Sequence, residues 1–183
     1  MKRRLSGYSG SHLYTEVYKC ASTSLSRFFI EQGWSRFDLC SVRPVEAEGF
    51  VVVREPFSRY VSGVLWYWHV VHGLDRRIPG FINDLHEFLQ NEIKEGPRVV
   101  DHHTEPQWWS HAWADKVFSL DDRLGDRLTD YLQIPVALGK WNASDSVEAD
   151  TFVEMLGDVG RQKVLEFYDR DLEIFNLSSV IDR

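Results

Sequence analysis

Two short segments bring together residue types suited to holding a phosphorylated ligand. The first, Tyr18-Lys19-Cys20-Ala21-Ser22-Thr23-Ser24, offers a cation, several hydroxyls and a row of backbone N–H groups where a helix is expected to begin. Helix N-termini leave their first N–H groups unpaired and carry positive partial charge, so an anion is stabilised there. The Walker A pattern G-x-x-x-x-G-K-[ST] is absent. The plainer alternative is a Ser- or Thr-capped helix with a solvated lysine beside it. The second segment is Val53-Arg54-Glu55-Pro56-Phe57-Ser58-Arg59-Tyr60-Val61-Ser62. Arg54 ends an apolar run, where a charged side chain needs a partner or a ligand. A partner carboxylate such as Glu55 is the alternative to a ligand. Ser62 falls about two turns into the next helix and can face the same crevice.

A third segment, Asp101-His102-His103-Thr104-Glu105-Pro106-Gln107, carries two imidazoles that titrate near neutral pH and so suit general-base work. Structural or surface roles are equally open to any of the seven histidines. His69 and His72 stand i, i+3 on an expected helix, but Cys20 and Cys40 join no ligand cluster, so no metal is expected. Aromatics gather at Trp66-Tyr67-Trp68 and at Trp108, Trp109 and Trp113. At helical spacing most of these belong to a core. Trp108 and Trp109 follow the histidine segment directly and, with Gln107, are candidates for an acceptor pocket, since flat sugar faces stack on such rings. Arg27, Arg59, Arg76, Arg77 and Arg98 could supply positive charge around a bound anion, but for most of them solvated surface is the better reading. Asn142-Ala143-Ser144 fits a glycosylation acceptor only in a secreted chain.

These residues need a scaffold that presents them together. The chain has 183 residues, 43% of them hydrophobic and 27% charged, which suits one globular domain over 1–183. Its net charge of −7 speaks against wholesale binding of nucleic acid or anionic lipid. The basic start Met1-Lys2-Arg3-Arg4 is followed by no apolar run, so neither a signal peptide nor a membrane span is expected, and the location expected is cytoplasmic. Strands are expected at His12–Tyr18, Gly49–Arg54 and Lys116–Leu120. Helices are expected from Leu25 to near Gly33, from Pro56 to about Val71, over Phe81–Ile93, over Leu120–Leu132 and, as one or two, over Asp150–Phe175. Alternating strands and helices imply a mostly parallel sheet covered on both sides, with ligands bound beyond the carboxyl ends of its strands. Lys19–Ser24 and Arg54–Ser62 fall at that edge.

Taken in order, the segments resemble PAPS-dependent sulfotransferases, most closely the carbohydrate (membrane-associated type) branch. The resemblance lies in Lys-x-Gly/Ala-Ser/Thr-Thr-Ser after a first strand, Arg-Glu/Asp-Pro-Phe-x-Arg-x-x-Ser after a central one, and Asp-x-His-x-x-Pro-Gln at Asp101–Gln107. The stretch Asp115–Asp121 and the tail Phe167–Phe175, similar to a closing Tyr-x-x-Asp-x-x-x-Phe helix, extend it over nearly the whole chain. Tyr18 stands where Pro is usual, and Ala21 where Gly is common. The resemblance implies an α/β, three-layer P-loop-like fold and the donor 3′-phosphoadenosine-5′-phosphosulfate (PAPS). It further implies that Lys19 acts on the bridging oxygen of the donor. Ala21, Ser22, Thr23 and Ser24 would then hold the 5′-phosphate, and Arg54 and Ser62 the 3′-phosphate. His103, or its neighbour His102, is the expected base, with Glu46, Glu48 and Glu105 as fallbacks. An Asn-x-Ser near the donor is also common in the family.

The expected activity is therefore sulfuryl transfer, without a metal, to a carbohydrate or other small acceptor. A P-loop-like nucleotide kinase and a non-catalytic nucleotide- or glycan-binding module stay open beside it. The sequence carries no sign of oligomeric state.

Overall fold

The computed structural model describes residues 5–38, 46–71, 87–88, 90–91, 94–97, 99, 101–111, 114–139 and 146–181. The described residues include five strands and six helices. The strands are β1 (Leu5–Tyr8), β2 (His12–Thr15), β3 (Ser35–Asp38), β4 (Glu48–Val53) and β5 (Lys116–Ser119). The helices are α1 (Ser22–Glu31), α2 (Pro56–Val71), α3 (Trp108–His111), α4 (Leu124–Leu132), α5 (Ser146–Phe167) and α6 (Asp169–Ile181).

All five strands form one sheet in the order β3-β1-β2-β4-β5, flanked by helices. The expectation of an α/β chain holds, but the sheet is mixed rather than mostly parallel. β2–β4 and β4–β5 are parallel, whereas β1 is antiparallel to both β2 and β3. The cause is local. β1 and β2 are joined by a tight turn at Ser9–Ser11, with Gly10 at φ 97°, and a turn this short can only reverse the chain. Parallel neighbours need a crossover, which α1 supplies between β2 and β4.

β4 lies between two strands and is buried from Gly49 to Val53, as its unbroken apolar run requires. Phe50 is the hub, with the rings of Tyr14, Phe29, Phe118 and Tyr131 centred 5.4, 5.9, 6.0 and 5.5 Å away. Leu124, Leu128 and Leu132 bring one face of α4 into the same core. That helix begins at Leu124 rather than Leu120, because the Leu120 N–H is committed to the Val53 carbonyl and continues the ladder of β5.

Packing divides the chain into two compact units. Unit 1 comprises residues 1–54, 107–142 and 174–183, and holds the sheet. Unit 2 comprises 55–106 and 143–173. Because the chain passes between them at 54/55, 106/107, 142/143 and 173/174, no linker in the sequence marks the division.

Unit 2 has its own core, in which Phe57, Tyr60, Val61, Val64, Leu65 and Trp68 of α2 meet Phe152, Leu156 and Val164 of α5 and the nearby Tyr168. α2 starts at Pro56 as expected, and Glu55 caps it. The Glu55 carboxylate accepts from the N–H groups of Phe57 and Ser58 at 3.0 and 2.7 Å. α5 is interrupted at Gly157, whose φ of 64° places it in the left-handed region. The expected pair of C-terminal helices is present, though longer than Asp150–Phe175. Most of the helix expected over Phe81–Ile93, with Arg76, Arg77, Arg98, Trp113 and Asn142–Ser144, lies outside the described residues.

Candidate functional site

In unit 1 the parallel strands β2 and β4 end side by side, with Thr15 opposite Val51. The Lys19–Ser24 segment follows the first and Arg54 the second, so the carboxyl edge of the sheet carries both. The turn into α1 is unusual in its backbone. Lys19 and Ala21 both adopt left-handed conformations, at φ 64° and 57°. For residues with a Cβ this costs about 1–2 kcal/mol each, and such strain gathers at ligand-holding turns. Ala21 is the N-cap of α1 and forms no side-chain cap bond, so the first N–H groups of the helix are not taken up by a capping side chain.

The hydroxyls of this turn are not equivalent. Ser22 and Ser24 are buried and Thr23 is exposed. The Ser24 hydroxyl donates to the Gly139 carbonyl at 2.9 Å, tying the start of α1 to the segment after α4. Cys20, between the two left-handed residues, is fully buried and its thiol donates to Gln107 Oε1 at 3.1 Å.

Gln107 turns out to be a backbone clamp. Its Oε1 also accepts from the Arg54 N–H at 2.8 Å, while its Nε2 donates to the Arg54 carbonyl at 2.8 Å. A buried side chain thus makes the paired bonds that a neighbouring strand would make, one residue beyond the end of β4. That geometry fits positioning of Arg54 better than the acceptor contact expected for Gln107. Arg54 is partly exposed and forms no ion pair among the described residues. Glu55 does not serve as its partner, because that carboxylate is spent on the first turn of α2.

Beyond Gln107, the two rings of α3 meet edge to face at 6.0 Å. Trp108 is partly buried and Trp109 is 41% exposed. Glu46 and Glu48, the fallback bases on this unit, are both exposed. A cavity between α1 and the sheet is lined by Gly7, Tyr14, Phe29, Trp34 and Arg36 among others, and no residue singled out from the sequence borders it.

In unit 2 the histidine segment is a tight turn held from several directions. The Thr104 N–H donates to the Asp101 carbonyl at 3.0 Å. Asp101 turns both carboxylate oxygens onto His103, Oδ1 to its N–H and Oδ2 to its Nδ1, each at 2.8 Å. The His103 ring lies 3.7 Å from that of Trp66 and 4.0 Å from that of His102, centre to centre, and the residue is 6% exposed. Burial pushes the Asp101 carboxyl up, but the hydrogen bonds from His103 and the nearby imidazole charges outweigh it and hold it below the usual aspartate range. Ligating atoms of Asp101, His102 and His103 lie within 4.8 Å of one another. Proximity alone does not make these adjacent residues a metal site.

Arg59 departs furthest from expectation. Read as a solvated cation, it is completely buried in the first turn of α2. Its Nη1 donates to the His103 carbonyl at 3.0 Å, its Nη2 donates to the Glu105 carbonyl, and Asp171 of α6 stands 3.9 Å away. The Tyr168 hydroxyl donates to the carbonyl between them, that of Thr104. Three successive carbonyls thus take buried donors, which is what an irregular segment needs when it leaves water. The turn also lies hard against α2 at Gly63, where an added Cβ would stand 2.7 Å from the His103 carbonyl oxygen. Arg27 does behave as surface, pairing with Glu31 one turn on.

Ser62 is buried on α2 and, like the partly buried His102 and the buried His103, belongs to unit 2. Lys19, Ala21–Ser24 and Arg54 belong to unit 1. No site role was expected of Asp101, Gly63 or the Trp66 ring. The Asp-x-His spacing was the one available signal, because an aspartate two residues before a histidine can cap its N–H and reach its ring.

Comparison with protein-family models, curated proteins and solved structures finds no match. Among the described residues no helix is long and apolar enough to cross a membrane.

Proposed function

We propose that the protein is a sulfotransferase that moves the sulfuryl group of 3′-phosphoadenosine-5′-phosphosulfate to a hydroxyl of a carbohydrate or other small acceptor. The observation that carries this reading is the edge of unit 1. A left-handed turn opening a helix and an arginine without an ion-pair partner among the described residues follow neighbouring parallel strands. Helix N–H groups and an arginine are both anion donors, and this donor presents a 5′-phosphosulfate and a separate 3′-phosphate. The three-layer P-loop-like arrangement is part of the same proposal.

In this reading the N–H groups of Ala21, Ser22, Thr23 and Ser24 hold the 5′-phosphate, and Arg54 and Ser62 hold the 3′-phosphate. The acceptor oxygen attacks sulfur in line with the bridging oxygen. The new S–O bond forms as the bond to the bridge breaks, and adenosine 3′,5′-bisphosphate departs. Lys19 neutralises charge gathering on the bridging oxygen, and His103 takes the acceptor proton. Positioning and charge stabilisation account for such a transfer, by analogy with phosphoryl transfer.

Thermal unfolding with adenosine 3′,5′-bisphosphate, ADP and AMP tests the donor assignment. At 100 times its dissociation constant a bound nucleotide adds about 2.7 kcal/mol, a shift of several degrees. A shift specific to the 3′,5′-bisphosphate, with transfer of label from sulfur-labelled donor to a glycan panel, is the expected result. A shift with ADP alone would replace this reading by a kinase. Binding without transfer would leave a nucleotide-binding module.

A further inference from the structure

We infer that Asp101 is a positioning residue that holds His103 in its Nδ1–H tautomer, so that the basic lone pair lies on Nε2. An imidazole free in water favours the proton on Nε2, and a hydrogen bond at one nitrogen decides which tautomer a protein keeps. Here the Asp101 carboxylate grips one residue twice. Oδ1 takes the His103 N–H and Oδ2 faces Nδ1, both at 2.8 Å. An ionised carboxylate can only accept, so Nδ1 must carry the proton across that contact.

The ring has little freedom to escape this arrangement. Trp66 and His102 flank it at 3.7 and 4.0 Å between ring centres. Arg59 holds the carbonyl of the same residue at 3.0 Å, so His103 is gripped at its N–H, its carbonyl and one ring nitrogen. A carboxylate that orients a base in this way is the logic of a catalytic triad, reached here by two residues within one turn. The inference rests on the proposed function only in taking His103 as the base. The tautomer itself is a property of the nucleotide-free protein.

The test is a long-range proton–nitrogen correlation spectrum of the ¹⁵N-labelled protein, at a pH where the ring is neutral. His103→Gln identifies the signals among the seven histidines by their loss. A pyrrole-like Nδ1 and a pyridine-like Nε2 are expected for His103. Asp101→Ala should return the ring to the Nε2–H pattern, and Asp101→Glu should restore part of the original. Asp121→Ala removes a carboxylate from Arg127 in unit 1 and should leave His103 unchanged. An Nε2–H His103 in the unaltered protein overturns the inference, and that spectrum decides even if Asp101→Ala fails to fold. So does a pattern indifferent to Asp101→Ala. An Nδ1–H His103 in a protein that transfers no sulfuryl group upholds the positioning and removes the proposed reaction.

Discussion

The Lys19–Ala21 turn of unit 1 and the Asp101–Pro106 turn of unit 2 are both irregular, and they are held by opposite means. The first is a backbone device, in which two residues with side chains occupy the left-handed region at φ 64° and 57°. The second is a side-chain device, in which Arg59, Tyr168 and Asp101 fill the hydrogen-bonding needs of successive residues. A strained turn stores energy that a ligand or a glycine can release. A buried polar clamp stores none, but it fails badly when one member is removed. The two turns should therefore respond to substitution with opposite signs.

The largest effect belongs to the clamp. Arg59→Met removes the cation 3.9 Å from Asp171, itself 1% exposed, and the guanidinium donors to two carbonyls. Breaking a buried pair from one side costs about 3–5 kcal/mol, a large share of the stability of an ordinary domain. Chemical denaturation should show that loss in the midpoint. Arg59→Lys keeps the charge but not the two-pronged fork, and should recover only part of it. A loss below about 1 kcal/mol for Arg59→Met would place Arg59 with ordinary surface cations and dissolve the contrast.

That clamp was invisible in the sequence for a physical reason. Arg59 sits among Phe57, Tyr60 and Val61, the carboxylate four residues before it, Glu55, is spent on capping α2, and its partners lie 44, 46 and 112 positions away. Exposure is the sound expectation for an arginine until the fold supplies carbonyls and a carboxylate. The Gln107 clamp was illegible for the same reason, since its two bonds to Arg54 span 53 residues. Where the determinants are local the sequence was legible. β4 follows from an unbroken apolar run, the start of α2 from Pro56, and α4 from leucines every fourth residue. The strands β1 and β3 had no such pattern. Ser6 and Gly7 are poor strand formers, and Ser35-Arg36-Phe37-Asp38 is largely polar, as an outermost strand can be. They exist because each pairs with the other, a property of neither segment alone.

A smaller effect separates the two units through pH. Glu16 of unit 1 is 7% exposed, and burial pushes its carboxyl up, against the Ser26 hydrogen bond and the Arg36 charge. Asp101 of unit 2 is held down. A raised carboxyl contributes stability that is full below the ordinary glutamate value, near pH 4, and is lost as pH rises through its folded value. A lowered carboxyl contributes stability present above the ordinary aspartate value and lost as pH falls through its folded value. Measured from pH 4 to 7, Glu16→Gln should therefore gain on the unaltered protein as pH rises. Asp101→Asn should lose ground instead at the acid end, as pH rises toward the ordinary aspartate value near 4, and run level with the unaltered protein above about pH 5. Curves that run in the same direction would mean that the two carboxylates sit in equivalent environments.

The smallest effect tests the strained turn itself. Ala21→Gly should stabilise the protein, because glycine occupies the left-handed region without the Cβ clash that costs alanine about 1–2 kcal/mol. Glycine also has more freedom to lose on folding, worth about 0.5–1 kcal/mol, so the net gain is about 0.5–1 kcal/mol. The same substitution at Ala149, within α5 of unit 2, has no strain to relieve. It should cost about 0.5–1 kcal/mol through chain entropy alone, and more through the lost contact with the unit 2 core. Thermal midpoints of the two variants should therefore move apart by a few degrees, Ala21→Gly upward and Ala149→Gly downward. If both fall, the turn before α1 is not strained, and the observation supporting a ligand-holding loop there loses its force. If they diverge, the turn keeps a conformation that its own residues disfavour, which makes sense where backbone N–H groups must face an anion.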